Sequence, residues 1–447
     1  MERSTLIEFV QDARQRTLDL VADLTDDQLL GPCVACLNPL LWEIGHVAWF
    51  QEKWVLRQGG RRESIRSDAD TIYDSIAVPH DNRWDLALPD RRTAIGYMGE
   101  VRDRVIDLLQ KNEWDDELTY FVLLTVFHED MHTEAFTCAR QTCEYPPPKF
   151  TIGEPAQVGR EPGAPSLGDS KQTEPPQSFI EQDVAIPGGR FPLGADGHEP
   201  FVFDNEKLGH VLEVRPFAIA TTPVTHAQFA AFVDQDGYHR STLWSEKGWQ
   251  WRGCNSAEHP IYWRRAGNGW ERRYFNDWRP LEPDLPMIHV NWYEAEAFCR
   301  WAGRRLPTEA EWELAAAGCL VGDVSLPSTR KRRFPWGDDP AQPTRANLDW
   351  GHTECVSVLA CPDGDSPCGC RQMIGNVWEW TASEFLPYPG FEPGPYKEFS
   401  QPWFGTHKVL RGGGGATRSR LLRNTWRNFY KPDRRDVWSG FRTCAID

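Results

Sequence analysis

Phe127-His128-Glu129-Asp130-Met131-His132 lies near the end of a long apolar run in the N-terminal third of the chain, and its reading decides which fold surrounds it. His128 and His132 are four residues apart, so on an α-helix they project from one face, where two imidazoles can share a metal ion. Two ligands hold a metal poorly. The third candidate is His46, in Leu40-Leu41-Trp42-Glu43-Ile44-Gly45-His46-Val47-Ala48-Trp49-Phe50. This stretch reads as an earlier helix with Trp42, His46, Trp49, Phe50 and Lys53 on one face. The same spacing also occurs in core histidines that only satisfy a hydrogen bond, so the surrounding elements must decide between the two readings.

Working outward, residues 1 to about 30 follow helical spacing, with Leu6, Phe9, Val10, Ala13, Leu18, Leu20, Val21 and Leu24 as an apolar stripe. Asn38-Pro39 offers a cap and a first-turn proline to the His46 helix. Residues 60–90 are polar and turn-rich, a loop long enough to need a functional reason. Helices are predicted again at 91–112 and 115–140, the latter carrying Phe121, Leu124, Thr125, His128, His132 and Ala135 on one stripe. Four such helices form an up-and-down bundle, in which metal sites are built from inward side chains of facing helices. The composition then changes. The chain divides into a helical domain over 1–144, a Pro/Gly-rich linker over 145–180, and a domain over 181–447 with short apolar stretches, many glycines and tryptophans and few long helices.

With 447 residues and 40% hydrophobic content the chain can bury more than one core, and its net charge of -16 argues against a general binder of nucleic acid or anionic membrane. No apolar signal core follows Met1, and no run approaches the roughly 20 apolar residues of a membrane span. The expectation is a soluble, cytoplasmic protein with reduced thiols, its 12 cysteines being scattered through a large chain. Cys33-Val34-Ala35-Cys36 has metal or redox spacing but no second pair nearby, and Cys361, Cys368 and Cys370 cluster in a loop without an assigned role. The 21 tryptophans favour aromatic anchors and a cation-binding aromatic pocket.

The second half resembles the formylglycine-generating enzyme, or sulfatase-modifying, domain. The resemblance rests on Ile186-Pro187-Gly188-Gly189-Arg190-Phe191, Phe203-Asp204-Asn205-Glu206, Thr222-Pro223-Val224-Thr225 and Arg305-Leu306-Pro307-Thr308-Glu309-Ala310-Glu311-Trp312-Glu313. It continues through Phe334-Pro335-Trp336-Gly337, Gly375-Asn376-Val377-Trp378-Glu379-Trp380-Thr381, Leu410-Arg411-Gly412-Gly413 and Ser439-Gly440-Phe441-Arg442. It implies a C-type-lectin-like α+β fold with little regular structure. Formylglycine oxidase chemistry is not expected, because Gly414 to Arg435 contains no cysteine. The first 140 residues resemble the DinB-type four-helix bundle, whose three-histidine site matches His46, His128 and His132. Joined in this order, the two domains resemble the ergothioneine sulfoxide synthases and selenoneine synthase.

That resemblance implies Fe(II), dioxygen as co-substrate, and hercynine, whose imidazole C–H is replaced by a C–S or C–Se bond. Three imidazoles also suit zinc, so a zinc-dependent thiol transferase is a competing reading, as is a non-catalytic lectin-like binding module. The substrate residues implied are Asn428, with Trp426, Phe429 and Tyr430 as pocket aromatics, Arg434 and Arg435 for the donor's carboxylate, and Arg83 with His80 from the N-terminal loop. A tyrosine supplying a proton or electron is expected at Tyr73 or Tyr396, with Tyr388 and Tyr430 as further candidates. Trp378 and Trp380 read better as core than as pocket wall. A calcium ion in the lectin-like domain is an analogy without named ligands.

Two positions depart from the commoner synthases. Met131 stands where many have a glutamine that contacts the substrate imidazole, and His80 where some have an arginine for a γ-glutamyl-cysteine donor. Both favour an uncharged, seleno-sugar donor, as in selenoneine synthase, with cysteine or γ-glutamyl-cysteine as the alternative.

Overall fold

The computed structural model describes residues 1–58, 63–111, 115–150, 182–195, 197, 199–318, 331–352 and 354–446. The expected linker therefore lies, beyond residue 150, outside the described residues. The chain resolves into two compact units. One is Met1–Glu154 together with Glu199–Phe201 and Tyr274–Asp277, and the other is formed by the rest.

The first unit is helical: α1 Arg3–Asp19, α2 Asp26–Leu30, α3 Leu40–Gln51, α4 Ala69–Tyr73, α5 Arg91–Lys111 and α6 Asp116–Thr142. The long helices α1, α3, α5 and α6 are the expected four, with α1 and α3 each packing against both α5 and α6. The stripe predicted over residues 1 to about 30 is interrupted: α1 stops at Asp19, and α2 restarts behind a capping box in which Thr25 and Gln28 satisfy each other's backbone. Asn38 is not the cap of α3. Pro39 occupies the N-cap position without a side-chain bond, and the Asn38 amide is instead drawn to the buried Glu43. The same demand for partners organises the bundle centre. Arg14 of α1 is 1% exposed and donates to both oxygens of Glu129 on α6 and to Gln51 on α3. A charge buried this deeply persists only when paired.

Among the described residues, the second unit has short strands in four sheets. The first is ordered β1 (Asp183–Ile186), β4 (Phe217–Ala220), β13 (Cys444–Ala445), β8 (Arg304–Arg305), and the second β11 (Asn428–Tyr430), β10 (Lys408–Arg411), β9 (Trp378–Glu384), β12 (Ser439–Gly440). β2 (Gly189–Leu193) pairs with β3 (His210–Val214), and β5 (Trp263–Ala266), β6 (Gly269–Tyr274) and β7 (Asp277–Pro280) make the last sheet. Helices α7 (His226–Asp234), α8 (Glu246–Cys254), α9 (Trp292–Trp301) and α10 (Glu309–Ala317) each begin at a polar N-cap: Thr225, Ser245, Asn291 and Thr308.

The quoted motifs of the C-terminal half turn out to be one another's partners. In Thr308-Glu309-Ala310-Glu311, Thr308 and Glu311 form the capping box of α10. Trp312 donates to Glu379 at 2.8 Å, and Glu379 accepts a two-pronged bond from Arg442 at 2.7 and 2.8 Å. Glu313 pairs with Arg411 and Lys331. Glu206 takes Arg423 and the Thr425 hydroxyl, while Glu309 takes Arg427. Leaving one such buried charge unpaired costs about 3–5 kcal/mol, which ties the motifs to the fold rather than to chemistry. Trp378 and Trp380 are 2% and 0% exposed, and Trp380 Nε1 donates to the Val290 carbonyl, so both are core residues. Among the described residues no helix is long and apolar enough to cross a membrane.

Candidate metal centre

α3 is apolar almost all round, so it is buried along its whole length and carries Glu43 and His46 inward with Trp42, Trp49 and Phe50. α6 brings His128 and His132 against it. One ring nitrogen of each of His46, His128 and His132 lies within 4.8 Å of the others, so the sequence-predicted triad is assembled. Ring centroids are 5.2 Å apart for His46 and His128, 5.0 Å for His46 and His132, and 4.5 Å for His128 and His132. Phe50 stacks on His128 at 3.7 Å and Trp42 on His46 at 4.6 Å. These flat walls hold the His46 and His128 imidazoles in place and shield them from water, while His132 is partly exposed.

The hydrogen bonds of the outer nitrogens set the tautomers. His46 Nδ1 is 2.8 Å from the Tyr73 carbonyl oxygen, which can only accept, so the proton sits on Nδ1 and the Nε2 lone pair is available. His132 Nδ1 is 2.5 Å from Glu43 Oε2. Burial pushes the Glu43 carboxyl up, but its attraction to His132 and its hydrogen bonds from His132 and Asn38 outweigh this and hold it below the usual range, so it accepts as a carboxylate. Burial and the neighbouring His132 bring the His46 imidazole down to about 3, and burial with the same neighbour holds His128 well below its ordinary value. Burial keeps His46 and His128 neutral, and the outer nitrogens of His46 and His132 are held by hydrogen bonds, so the residues present fit a divalent transition metal. Three protein ligands leave coordination positions for substrates.

Glu43 was legible in the sequence but not singled out. The signal was a carboxylate three residues before a candidate ligand in an otherwise apolar helix, where a buried charge demands a partner.

The remaining predicted residues are placed as follows. Tyr73 is fully buried at the end of α4; its carbonyl holds His46, while its ring lies against Gly45 and stacks on Tyr97 at 6.3 Å. Burial raises the Tyr73 phenol to about 12. Arg83 is 8% exposed and lies over Trp42 at 4.1 Å, giving its N–H groups to Asn38 and to the Ser75 and Val78 carbonyls. His80 bonds Asp81 and the Leu37 carbonyl, and Met131 is half-buried on α6.

In the second unit, Asn428, Phe429 and Tyr430 form the edge strand β11. The Asn428 side-chain oxygen accepts from the Phe429 N–H, and Phe429 stacks on Phe385 at 4.0 Å. Trp426 is buried edge-on to Phe203 at 4.8 Å. Arg434 makes a two-pronged bond to Asp436 at 2.6 and 2.7 Å beside the Tyr430 ring. Arg435 lies 3.6 Å from Glu294 and over Trp251, and Tyr396 is half-buried beside Phe399. Cys33 is exposed, and Cys361 and Cys370 are buried, the Cys370 thiol raised by burial to about 11.

The sulfatase-modifying factor enzyme 1-like domain family matches residues 169–446 and the DinB superfamily residues 10–136. The chain is 36% identical to a hercynine oxygenase of Mycolicibacterium thermoresistibile over 98% of its own length and 94% of that protein's. It is also 36% identical to a hercynine oxygenase of Mycolicibacterium smegmatis, covering 98% of each chain. A formylglycine-generating enzyme of Streptomyces coelicolor is 33% identical over 59% of this chain and 88% of its own. Both domains in the expected order, a three-histidine cluster, and likeness along nearly the whole length agree, and the chain belongs to the hercynine oxygenase family of oxygen-dependent oxidoreductases.

Proposed function

We propose that the protein joins hercynine to a thiol, cysteine or γ-glutamyl-cysteine, using dioxygen and an Fe(II) ion held by His46, His128 and His132. The balanced reaction consumes one hercynine C–H, one thiol S–H and one O2, and yields the C–S bonded sulfoxide and one water. The observation that carries this reading is the histidine triad, with the outer nitrogens of His46 and His132 fixed by the Tyr73 carbonyl and Glu43, in a chain alike over nearly its whole length to hercynine oxygenases. The sulfur donor takes precedence over the seleno-sugar that Met131 and His80 suggest, since the full-length relatives are named for hercynine oxygenation.

Iron bound there supplies the one-electron redox chemistry that lets O2 react with closed-shell substrates. The protein's own residues do the rest. Trp42, Trp49 and Phe50 wall His46 and His128 from water. Tyr73 and Tyr396 are the proposed donors of a proton or electron, and burial, which raises the Tyr73 phenol to about 12, leaves that residue protonated at neutral pH. Asn428, Trp426, Phe429 and Tyr430 are proposed for hercynine, whose trimethylammonium suits aromatic faces. Arg434, Arg435 and, from the N-terminal loop, His80 are proposed for the donor, with Met131 beside the metal ligands as a determinant of donor choice. The helical domain is taken as 1–144, the linker as 145–180 and the lectin-like domain as 181–447, and the protein as cytoplasmic.

The test is aerobic incubation of iron-loaded protein with hercynine and, separately, cysteine, γ-glutamyl-cysteine and seleno-N-acetylglucosamine, with products identified by mass. A sulfoxide from one of the thiols supports the reading. Consumption of the seleno-sugar alone restores the selenium alternative, and full zinc occupancy in protein purified without added metal, with no oxygen uptake on adding hercynine and a donor, overturns the iron reading in favour of the transferase.

A further inference from the structure

Around the three histidines, four side chains of the helical unit close a ring that begins and ends on a ligand. His132 Nδ1 donates to Glu43 Oε2 at 2.5 Å, Glu43 Oε1 accepts from Asn38 Nδ2 at 2.6 Å, and Asn38 Oδ1 accepts from Arg83 Nη1 at 2.5 Å. The Arg83 guanidinium lies 4.1 Å over the Trp42 ring, and that ring stacks on His46 at 4.6 Å and 13°. Trp42 is itself pinned, its Nε1 donating to the Ile72 carbonyl at 2.7 Å. The resemblance implied that Arg83 clamps the donor's carboxylate. A clamp presents its fork to the ligand, whereas here Nη1 is given to Asn38 and Nη2 to the Ser75 and Val78 carbonyls, on a residue 8% exposed.

We propose that Arg83 is a positioning residue of the metal centre, acting on His132 through Asn38 and Glu43 and on His46 through Trp42. The inference rests on the metal-centre reading above. Its chemistry follows from donor and acceptor counts. A guanidinium only donates and a carboxylate only accepts, so between them the Asn38 amide has one permitted orientation. That orientation fills Glu43 Oε1 and leaves Oε2 for His132, which fixes its proton on Nδ1 and its ring plane. The cation also compensates the burial of Glu43, 3% exposed. On the other side, stacking sets the tilt of His46 through a flat indole sandwiched between cation and imidazole.

The experiment uses the full chain stripped of metal and titrated with Co(II), read by the visible ligand-field bands of the bound ion, with hercynine absent. Glu43→Gln is expected to weaken Co(II) binding about 10- to 100-fold. Arg83→Met, which keeps the stem and removes the fork, weakens it about tenfold and shifts the bands, and Arg83→Lys recovers only part because one ammonium cannot replace the fork. In the Glu43→Gln background Arg83→Met adds less than its own effect, since both act along one chain. If Arg83→Met fails to fold by circular dichroism, Asn38→Ala carries the same expectation. Unchanged Co(II) affinity and bands in a folded Arg83→Met, with a raised KM for the thiol, would return Arg83 to donor binding and overturn the inference. Wild-type chain that takes up no Co(II) would instead refute the metal-centre reading itself.

Discussion

Gly45→Ala isolates the coupling between α4 and the metal centre. A Cβ at Gly45 would lie 2.1 Å from two ring carbons of Tyr73 and 2.5 Å from its hydroxyl, closer than any real carbon contact. The Tyr73 ring is fully buried and stacked on Tyr97, so it cannot swing into solvent, and relief requires the residue to move as a whole. That motion carries away the carbonyl that holds His46 Nδ1 at 2.8 Å. Overpacking costs about 1–3 kcal/mol and the lost hydrogen bond about 1 kcal/mol, against a gain of up to about 1 kcal/mol from replacing a helical glycine. The net expectation is a loss of about 1–3 kcal/mol in urea unfolding, together with roughly tenfold weaker metal binding through the freed His46. The decisive assay is a double-mutant cycle with Tyr73→Ala. Tyr73→Ala alone costs about 3–5 kcal/mol, but once the ring is gone Gly45→Ala becomes neutral or stabilising. An equal penalty for Gly45→Ala in both backgrounds would refute the contact as its cause, and a variant as stable as wild type would refute the packing of Tyr73 on α3.

Other consequences can be checked alongside. His128→Ala removes one of the three ligands, so the purified variant should hold far less than one metal per chain while its circular dichroism stays helical; wild-type metal content would refute the ligand assignment. Glu379→Ala strands Arg442 and the Trp312 indole in the core, for an expected loss of about 3–5 kcal/mol in denaturant unfolding; a loss under 1 kcal/mol would mean that the motifs do not hold each other in place. Burial, with the Arg272 charge adding for His226, lowers both His226 and His289 to about 3 despite their bonds to the Glu282 and Val437 carbonyls. Their folded values lie below the unfolded value of about 6.5, so the unfolded chain binds more protons and stability falls as pH drops from about 6.5 toward 3. Between pH 7.5 and 5 each contributes a loss of about 2 kcal/mol, readable from urea midpoints, and substituting glutamine at both should flatten the curve by about twice that.

The texture of the chain was already informative. Apolar positions every three to four residues announced α1, α3, α5 and α6, since a helix stripe needs only local spacing to be seen, and two of the metal ligands share one such stripe. The helices predicted at 91–112 and 115–140 appear as Arg91–Lys111 and Asp116–Thr142. His46 stood out as a candidate on its own helix, but nothing local measures the distance between two helices, so its meeting with that pair is seen only in the fold. What spacing could not reveal is who satisfies whom. Glu43 meets His132 from 89 positions away, Arg83 reaches Asn38 across 45, and Asn38 abandons the capping role its type suggested. In the C-terminal half the motifs were visible as words, but Glu379 and Arg442 are 63 residues apart and Glu206 and Arg423 are 217 apart. A hydrophobic stripe is a property of one segment. A buried polar group must find its partner wherever the folded chain supplies one, so the outer shell of the metal centre and the ion pairs of the second core were decided only in three dimensions.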